Sequence, residues 1–266
     1  MIPNILSIAG SDPSGGAGIQ ADIKAISANG GYAMAAITAL TAQNTCGVQG
    51  VQMVEPAFVA NQIRALCDDI RIDAVKIGML GTAGIIEAVA EALDGLDAPI
   101  VLDPVMVAKG GDRLLQAEAV EALRRFLPRA AVITPNLPEA ADLLSQPEAF
   151  SRDAMEAQAR DLMALGPAAV LLKGGHLAGD QSPDLLATAS GLTWLPGPRH
   201  VTRKTHGTGC TLSSALATFL GHGMPLDEAA AQAKGHVADA IGTADSLDVG
   251  RGHGPTHHFH ALKGRT

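Results

Sequence analysis

Residues 4–22 read NILSIAGSDPSGGAGIQAD. The first seven are mostly apolar, as in a strand covered on both faces; a glycine-rich turn follows, and a helical apolar pattern begins near residue 17. A strand that passes through such a turn into a helix opens a βαβ unit, whose strands run parallel. The same order recurs along the chain. Further strands are expected at 35–40, 74–80, 99–105, 131–135 and 169–175, and helices at 17–29, 56–69, 83–93, 116–127, 137–144, 151–165, 208–221 and 226–241. Residues 184–203 break the pattern and read as short antiparallel strands turning near Ser190–Gly191. The spacing predicts a three-layer α/β fold with a mostly parallel central sheet flanked by helices. No long Pro/Gly/Ser linker and no solenoid repeat divides residues 1–266, so a single domain is expected.

Composition narrows the function classes. With 47% hydrophobic and 17% charged residues the chain has the makings of a buried core. A net charge of −8 and only 3% aromatic residues argue against a nucleic-acid partner, which needs a basic face or stacking platforms. No apolar run approaches the roughly 20 residues that cross a bilayer, and MIPNILSIAG lacks the basic start of a signal peptide. Cys46, Cys67 and Cys210 are widely spaced and odd in number, which fits reduced thiols and a cytoplasmic protein.

In open α/β sheets, ligands bind beyond the carboxyl ends of the strands. Polar and glycine clusters recur there: Gly10-Ser11-Asp12, Gly78-Met79, Asp103-Pro104, Asn136 and Lys173-Gly174-Gly175. Gly16-Ala17-Gly18-Ile19-Gln20-Ala21 matches GxGxxG/A, yet no acid follows about 20 residues on to hold a ribose, so a substrate loop is preferred over a dinucleotide site. In TPNLPEA (134–140), Asn136 and Glu139 have capping-box spacing, and a helix so capped still presents its first turn to a cleft where both could organise water around Mg²⁺. Lys173 ends an apolar strand and needs either an ion-pair partner or a phosphate.

HGTGCTLSSAL (206–216) is the most specific stretch. Gly207 and Gly209 allow close backbone approach, and the free N–H groups of a helix start bind anions. A cysteine there is expected to have a lowered pKa. GHGPTHHFH (252–260) crowds four histidines, but no acid or thiol sits at a metal-site spacing, and an ordered or frayed terminal segment is expected. There is no GxxxxGKS/T, HExxH, GxSxG or protein-kinase signature, so any ATP chemistry proceeds without a Walker A lysine. A cysteine hydrolase built on Cys210 and His206 lacks an evident orienting acid.

Taken together, IAGSDPSGGAGIQAD, ITALTAQNT, KIGML, VLDPVM, ITPNLPEA, LLKGGH, THGTGC and GPTHHFH, in that order, resemble the hydroxymethylpyrimidine/phosphomethylpyrimidine kinases of thiamin biosynthesis, within the ribokinase-like superfamily. The resemblance covers nearly the whole chain. Cysteine at position 210, where typical ribokinase relatives have Asp, resembles the pyrimidine-kinase branch. It implies two ATP-dependent phosphorylations, of 4-amino-5-hydroxymethyl-2-methylpyrimidine and then of its monophosphate. The alternative it leaves open is a pyridoxal kinase-like vitamin kinase. Carried over, Gln43 would hydrogen-bond the aminopyrimidine edge; Gly10, Met79 and Val105 would wall the ring; and Asp22 would lie near the substrate. Gly207, Thr208, Gly209 and Cys210 would form an anion hole, with Cys210 also taking the alcohol proton. Asp103 and Glu139 would arrange Mg²⁺ through water, and Lys173, Thr208 and Asn136 would meet ATP. A homodimer is implied, and Lys109, Gly110 and Gly111 would form a lid or hinge.

Overall fold

The computed structural model of the chain describes residues 1–106, 115 and 118–262. Residues 109–111, read above as a lid, lie outside the described residues. The elements follow the expected alternation: β1 (Asn4–Ala9), α1 (Gly18–Ala28), β2 (Tyr32–Ile37), β3 (Ala39–Asn44), β4 (Gly47–Met53), α2 (Pro56–Cys67), β5 (Ala74–Ile77), α3 (Ala83–Ala92), β6 (Ile100–Leu102), α4 (Ala119–Phe126), β7 (Val132–Ile133), α5 (Leu137–Leu144), α6 (Arg152–Ala164), β8 (Ala169–Lys173), β9 (Asp184–Thr188), β10 (Gly191–Leu195), α7 (Thr208–Gly221) and α8 (Leu226–Gly242).

Eight strands form one sheet in the order β10-β9-β8-β7-β6-β5-β1-β2. Within it β2, β1, β5, β6, β7 and β8 pair in parallel; β9 is antiparallel to both β8 and β10, with its turn at Ala189–Ser190. Side chains alternate between two cores because the strand period is two. Leu6, Ile8, Val75, Ile77, Ile100, Leu102, Val170 and Leu172 pack on one face against apolar residues of α2 through α6. Ile5, Ala74, Val101, Ala169 and Leu171 pack on the other against Ile26 of α1, Leu212 and Leu216 of α7 and Val237 of α8. Two covered faces make the three layers, as the continuous apolar strands require.

One element departs from the sequence reading. The segment expected as a single strand at 35–40 divides at Thr38: β2 stays in the main sheet, and β3 leaves it to pair with β4 as a separate antiparallel ribbon. Thr38 is fully buried and its hydroxyl donates to Met79 O at 2.6 Å, so the break is fixed where the chain passes the β5 end. A register shift between Ala42 and Gln43 then re-aims the ribbon's tip.

Candidate active site

The carboxyl ends of β1, β5, β6, β7 and β8 open into a cavity of about 730 Å³. Gly10, Gln43, Met79 and Val105 line it at one end; Asn136, Glu139 and Lys173 line it beyond β7 and β8; Asp103 and the residues from Gly207 to Cys210 lie in its wall as well. The clusters noted at successive strand ends therefore share one cleft.

The glycines of the first loop serve loop packing. A Cβ on Gly16 would come within 2.4 Å of the His206 ring, and one on Gly18 within 2.4 Å of Gly10 O. Gly207, the N-cap of α7, has φ 79° and ψ 10°, and a Cβ there would sit 1.7 Å from Gly16 O. The GxGxxA match is thus a close contact between the β1 loop and the HGTGC turn. A side-chain pair locks the same contact: His206 Nε2 donates to Asp12 Oδ2 at 2.7 Å, and Asp12 also accepts from Ser14 N, Ser14 Oγ and Ala17 N at 2.9, 2.7 and 2.8 Å. Burial alone would raise the Asp12 pKa, but the His206 and Ser14 hydrogen bonds outweigh it and hold the carboxyl below its usual range. With its proton committed to Asp12, the His206 nitrogen cannot accept from Gln43 Nε2, 3.5 Å away. The Gln43 amide group keeps that donor for a ligand.

Beyond β7 the capping box forms as its spacing predicts. Glu139 N donates to Asn136 Oδ1 and Asn136 N donates to Glu139 Oε2, both at 2.8 Å. Lys173 is paired: its ammonium lies 2.8 Å from Asp103 Oδ1 and 3.8 Å from Glu139 Oε2. Burial raises Glu139 to about 7 and the Asp103 charge adds to the rise, with Lys173 opposing both. A Cβ on Gly209 would lie 3.2 Å from Lys173 Nζ and 3.3 Å from Asp103 Oδ2, so the start of α7 abuts this pair.

Two expectations need correction. Asp22 does not line the cavity. It lies one layer beneath, fully buried, accepting from Lys76 (2.8 Å to each oxygen), Ser7 Oγ (2.6 Å) and Ser214 Oγ (2.8 Å). The Cys210 thiol is not acidified either. Burial pushes it up to about 11, and the Lys76 charge and a hydrogen bond from the Gly18 backbone do not offset burial together with Asp22 and Asp103. Position at a helix start loses to desolvation and like charge here.

Sequence reasoning named Asp12 in a strand-end cluster and weighed His206 only beside Cys210, so it missed their pairing; it also missed Lys76 and the far end of the cavity. There Lys234 pairs with Asp184 at 2.7 Å, and Arg199 donates to the carbonyls of Gly175, Leu177, Gly179 and Gln181, shaping the loop after β8. Among the described residues no group of three or more His, Cys, Asp or Glu converges as a metal cage would. The terminal histidines are ordered instead. His258 is 4% exposed and burial pushes it down to about 3, with Lys24 the next cause; His236, beside His260, is pushed down to about 4 for the same first reason. In the unfolded chain such groups titrate near pH 6.5, so below that pH unfolding takes up protons that the fold excludes. Stability is therefore expected to fall on acidification from pH 6.5 to 4, with His258 alone contributing a slope of up to about 1.4 kcal/mol per pH unit. Urea unfolding of His258→Gln across that range should show a shallower slope, and an unchanged slope would refute the assignment.

The parallel sheet, the cleft at its carboxyl edge and the glycine turn at the start of α7 define a ribokinase-like phosphotransferase. The phosphomethylpyrimidine kinase family pattern matches residues 12–257, and the chain belongs to that family. It is 54% identical to the hydroxymethylpyrimidine/phosphomethylpyrimidine kinase of Salmonella typhimurium over 97% of this chain and 98% of that one. Among solved structures it superposes on the ADP complex of Bacillus subtilis pyridoxal kinase with a TM-score of 0.91, at 36% identity over 99% of this chain and 100% of that one. Phosphomethylpyrimidine kinase from Clostridium difficile gives a TM-score of 0.79 at 41% identity, covering 90% and 99% of the two chains.

Proposed function

We propose that this enzyme transfers the γ-phosphoryl group of ATP to the hydroxymethyl group of 4-amino-5-hydroxymethyl-2-methylpyrimidine, and then a second phosphoryl group to the resulting monophosphate. One observation carries the reading. The first turn of α7 lies between the Lys173–Asp103 pair and the loop after β1, in a cavity that Gln43, Gly10, Met79 and Val105 also line. Acceptor and donor can thus lie in line across the turn, and phosphoryl transfer depends chiefly on such placement and on charge stabilisation.

Gln43 presents an amide, donor and acceptor at once, to a ring nitrogen beside an amino group. Gly10, Met79 and Val105 exclude water from the ring faces, and Asp22 supports the acceptor end from beneath through Lys76. The N–H groups of Gly207 to Cys210 bind the transferring group; Lys173, Thr208 and Asn136 hold the nucleotide phosphates. Asp103 and Glu139 suit Mg²⁺: they are buried oxygen donors whose summed charge exceeds that of Lys173, and magnesium takes one or two carboxylates with water and phosphate completing its shell. When bound, the ion would neutralise charge on the phosphates. The ADP held by the Bacillus subtilis relative supports the nucleotide assignment.

The first step releases an alcohol proton and the second does not, because the monophosphate is already anionic. Cys210 as proton acceptor works through its thiolate, scarce at neutral pH with a pKa near 11. The first step should therefore accelerate with pH between 7 and 9. Cys210→Ala should slow it by about a hundredfold and the second step far less. Cys210→Asp should keep more first-step activity than Cys210→Ala. Single-turnover assays of each step measure this, and equal losses in both would remove the base. The decisive assay for the whole reading is ATP-dependent conversion of the hydroxymethylpyrimidine, followed by consumption of its monophosphate.

A vitamin kinase acting on pyridoxal is the second reading, favoured by the pyridoxal kinase superposition. Parallel turnover of the two substrates separates them. We further propose a cytoplasmic homodimer. Its three cysteines are free thiols, and the ribbon exposes Leu40 and Val51, which a second copy would cover. No helix among the described residues is long and apolar enough to cross a membrane. Light scattering of the purified protein tests the dimer.

A further inference from the structure

The segment after α8 plays no part in the reading above, yet it is packed against the cradle. His206 N donates to Gly254 O at 3.0 Å, and Thr256 N donates to His206 O at 3.2 Å, so a parallel bridge holds the residue before Gly207 on both sides. One turn on, Thr211 closes the start of α7: its N–H and its hydroxyl both donate to Gly207 O at 2.8 Å. With that hydroxyl proton committed, the Thr211 oxygen accepts from His258 Nε2 at 3.1 Å. This fixes His258 as the neutral Nε2–H tautomer. Thr256 Oγ1 lies 3.3 Å from the same hydroxyl. Thr211, Thr256 and His258 are all buried.

The chain of hydrogen bonds from His258 through Thr211 ends on the Gly207 carbonyl. Pinning that oxygen fixes the direction of the first turn, and with it the N–H groups of Gly209 and Cys210, which have no helical acceptor. The same segment also grips the ribbon: His253 N donates to Thr45 O at 2.8 Å and Gly252 N to Thr45 Oγ1 at 3.2 Å, two residues from Gln43. His257 N donates to Ala240 O at 2.9 Å and anchors it to α8.

We propose that residues 252–258 form a strap that holds the anion cradle and the Gln43 ribbon in register, with His258 the positioning residue that sets Gly207 through Thr211. The inference rests on the phosphoryl-transfer reading of the cradle. His258→Ala is expected to lower kcat of both phosphorylation steps about tenfold while KM for the pyrimidine and for ATP stays within about twofold, since the groups that bind substrate are untouched. His258→Gln, which keeps a donor for Thr211, should restore most of the rate. Thr211→Val should match the His258→Ala loss, and the double variant should lose no more than either single one. Multiplied losses, or an undiminished kcat in His258→Ala, would overturn the proposal.

Hydrogen–deuterium exchange supplies a readout that needs no turnover. In Thr211→Val the amide of residue 211, which donates to Gly207 O, should exchange faster while the rest of α7 is unchanged; unchanged exchange at residue 211 overturns the strap even where His258→Ala fails to fold. A wild-type enzyme that transfers no phosphoryl group would instead overturn the proposed function, and the exchange result would still decide the strap.

Discussion

Gly207→Ala is expected to lower kcat/KM for the first phosphorylation by more than about a hundredfold, because a shift of about 1 Å in a positioning element costs that much. The new Cβ would lie 1.7 Å from Gly16 O and 2.8 Å from Gly16 C. These neighbours are backbone, so no rotamer change relieves the contact; the HGTGC turn must separate from the loop after β1. The left-handed conformation at φ 79° adds about 1–2 kcal/mol of strain for any residue with a Cβ. Gly223 provides the control. Its φ is 80°, and nothing lies within 4 Å of the Cβ position. Gly223→Ala should therefore cost the strain alone, about 1–2 kcal/mol, with both rates intact. Steady-state kinetics and thermal melts of the two variants decide the matter. Equal kinetic losses would trace the effect to strain, and a fully active Gly207→Ala would show that the loop contact does not set the cradle.

Lys173→Met should cost stability and turnover together. It removes the ammonium 2.8 Å from Asp103 and 3.8 Å from Glu139, leaving two buried carboxylates uncompensated, a change that typically costs about 3–5 kcal/mol. Glu139 already lies near 7 with Lys173 in place, and it rises further without it. A carboxyl raised above its unfolded value takes up a proton in the folded state first, so the variant gains stability as pH falls. It should be more stable at pH 6 than at pH 8 in urea unfolding. ATP-dependent turnover should fall at least about a hundredfold, as expected when a charge on the transferring phosphates is lost. A variant within 1 kcal/mol of the wild type and with normal KM for ATP would contradict both parts.

Local chemistry made much of this legible in the sequence. The apolar strands and amphipathic helices state their own period, so β1, α1, β5, β8 and α7 were readable, as was the hairpin near Ser190. Asn136 and Glu139 are three residues apart, and their capping box needed no knowledge of the rest of the fold. The ribbon was not legible. Residues 39–53 carry polar residues and glycines on both faces, and without a buried face there is no alternation to read. The pairings that build the site were hidden for a different reason. Asp12 and His206 are 194 residues apart and Asp22 and Ser214 are 192, and no local pattern encodes such partners. Asp12 read only as part of a strand-end cluster and His206 only as a possible partner of Cys210, because neither could be matched with the other. The Cys210 pKa failed similarly: helix position can be read from sequence, but the depth of burial cannot.

The strand order bears on how the enzyme is made. From β5 outward to β10 the sheet adds strands in the order in which they are synthesised, each at a free edge, so the growing chain can extend its sheet as it leaves the ribosome. The candidate cleft cannot grow that way. Its two facing loops, at residues 10–18 and 205–210, belong to opposite ends of synthesis, and the Asp12–His206 clamp closes only after the intervening sheet exists. A nascent chain can thus be largely folded while its cleft is still unformed.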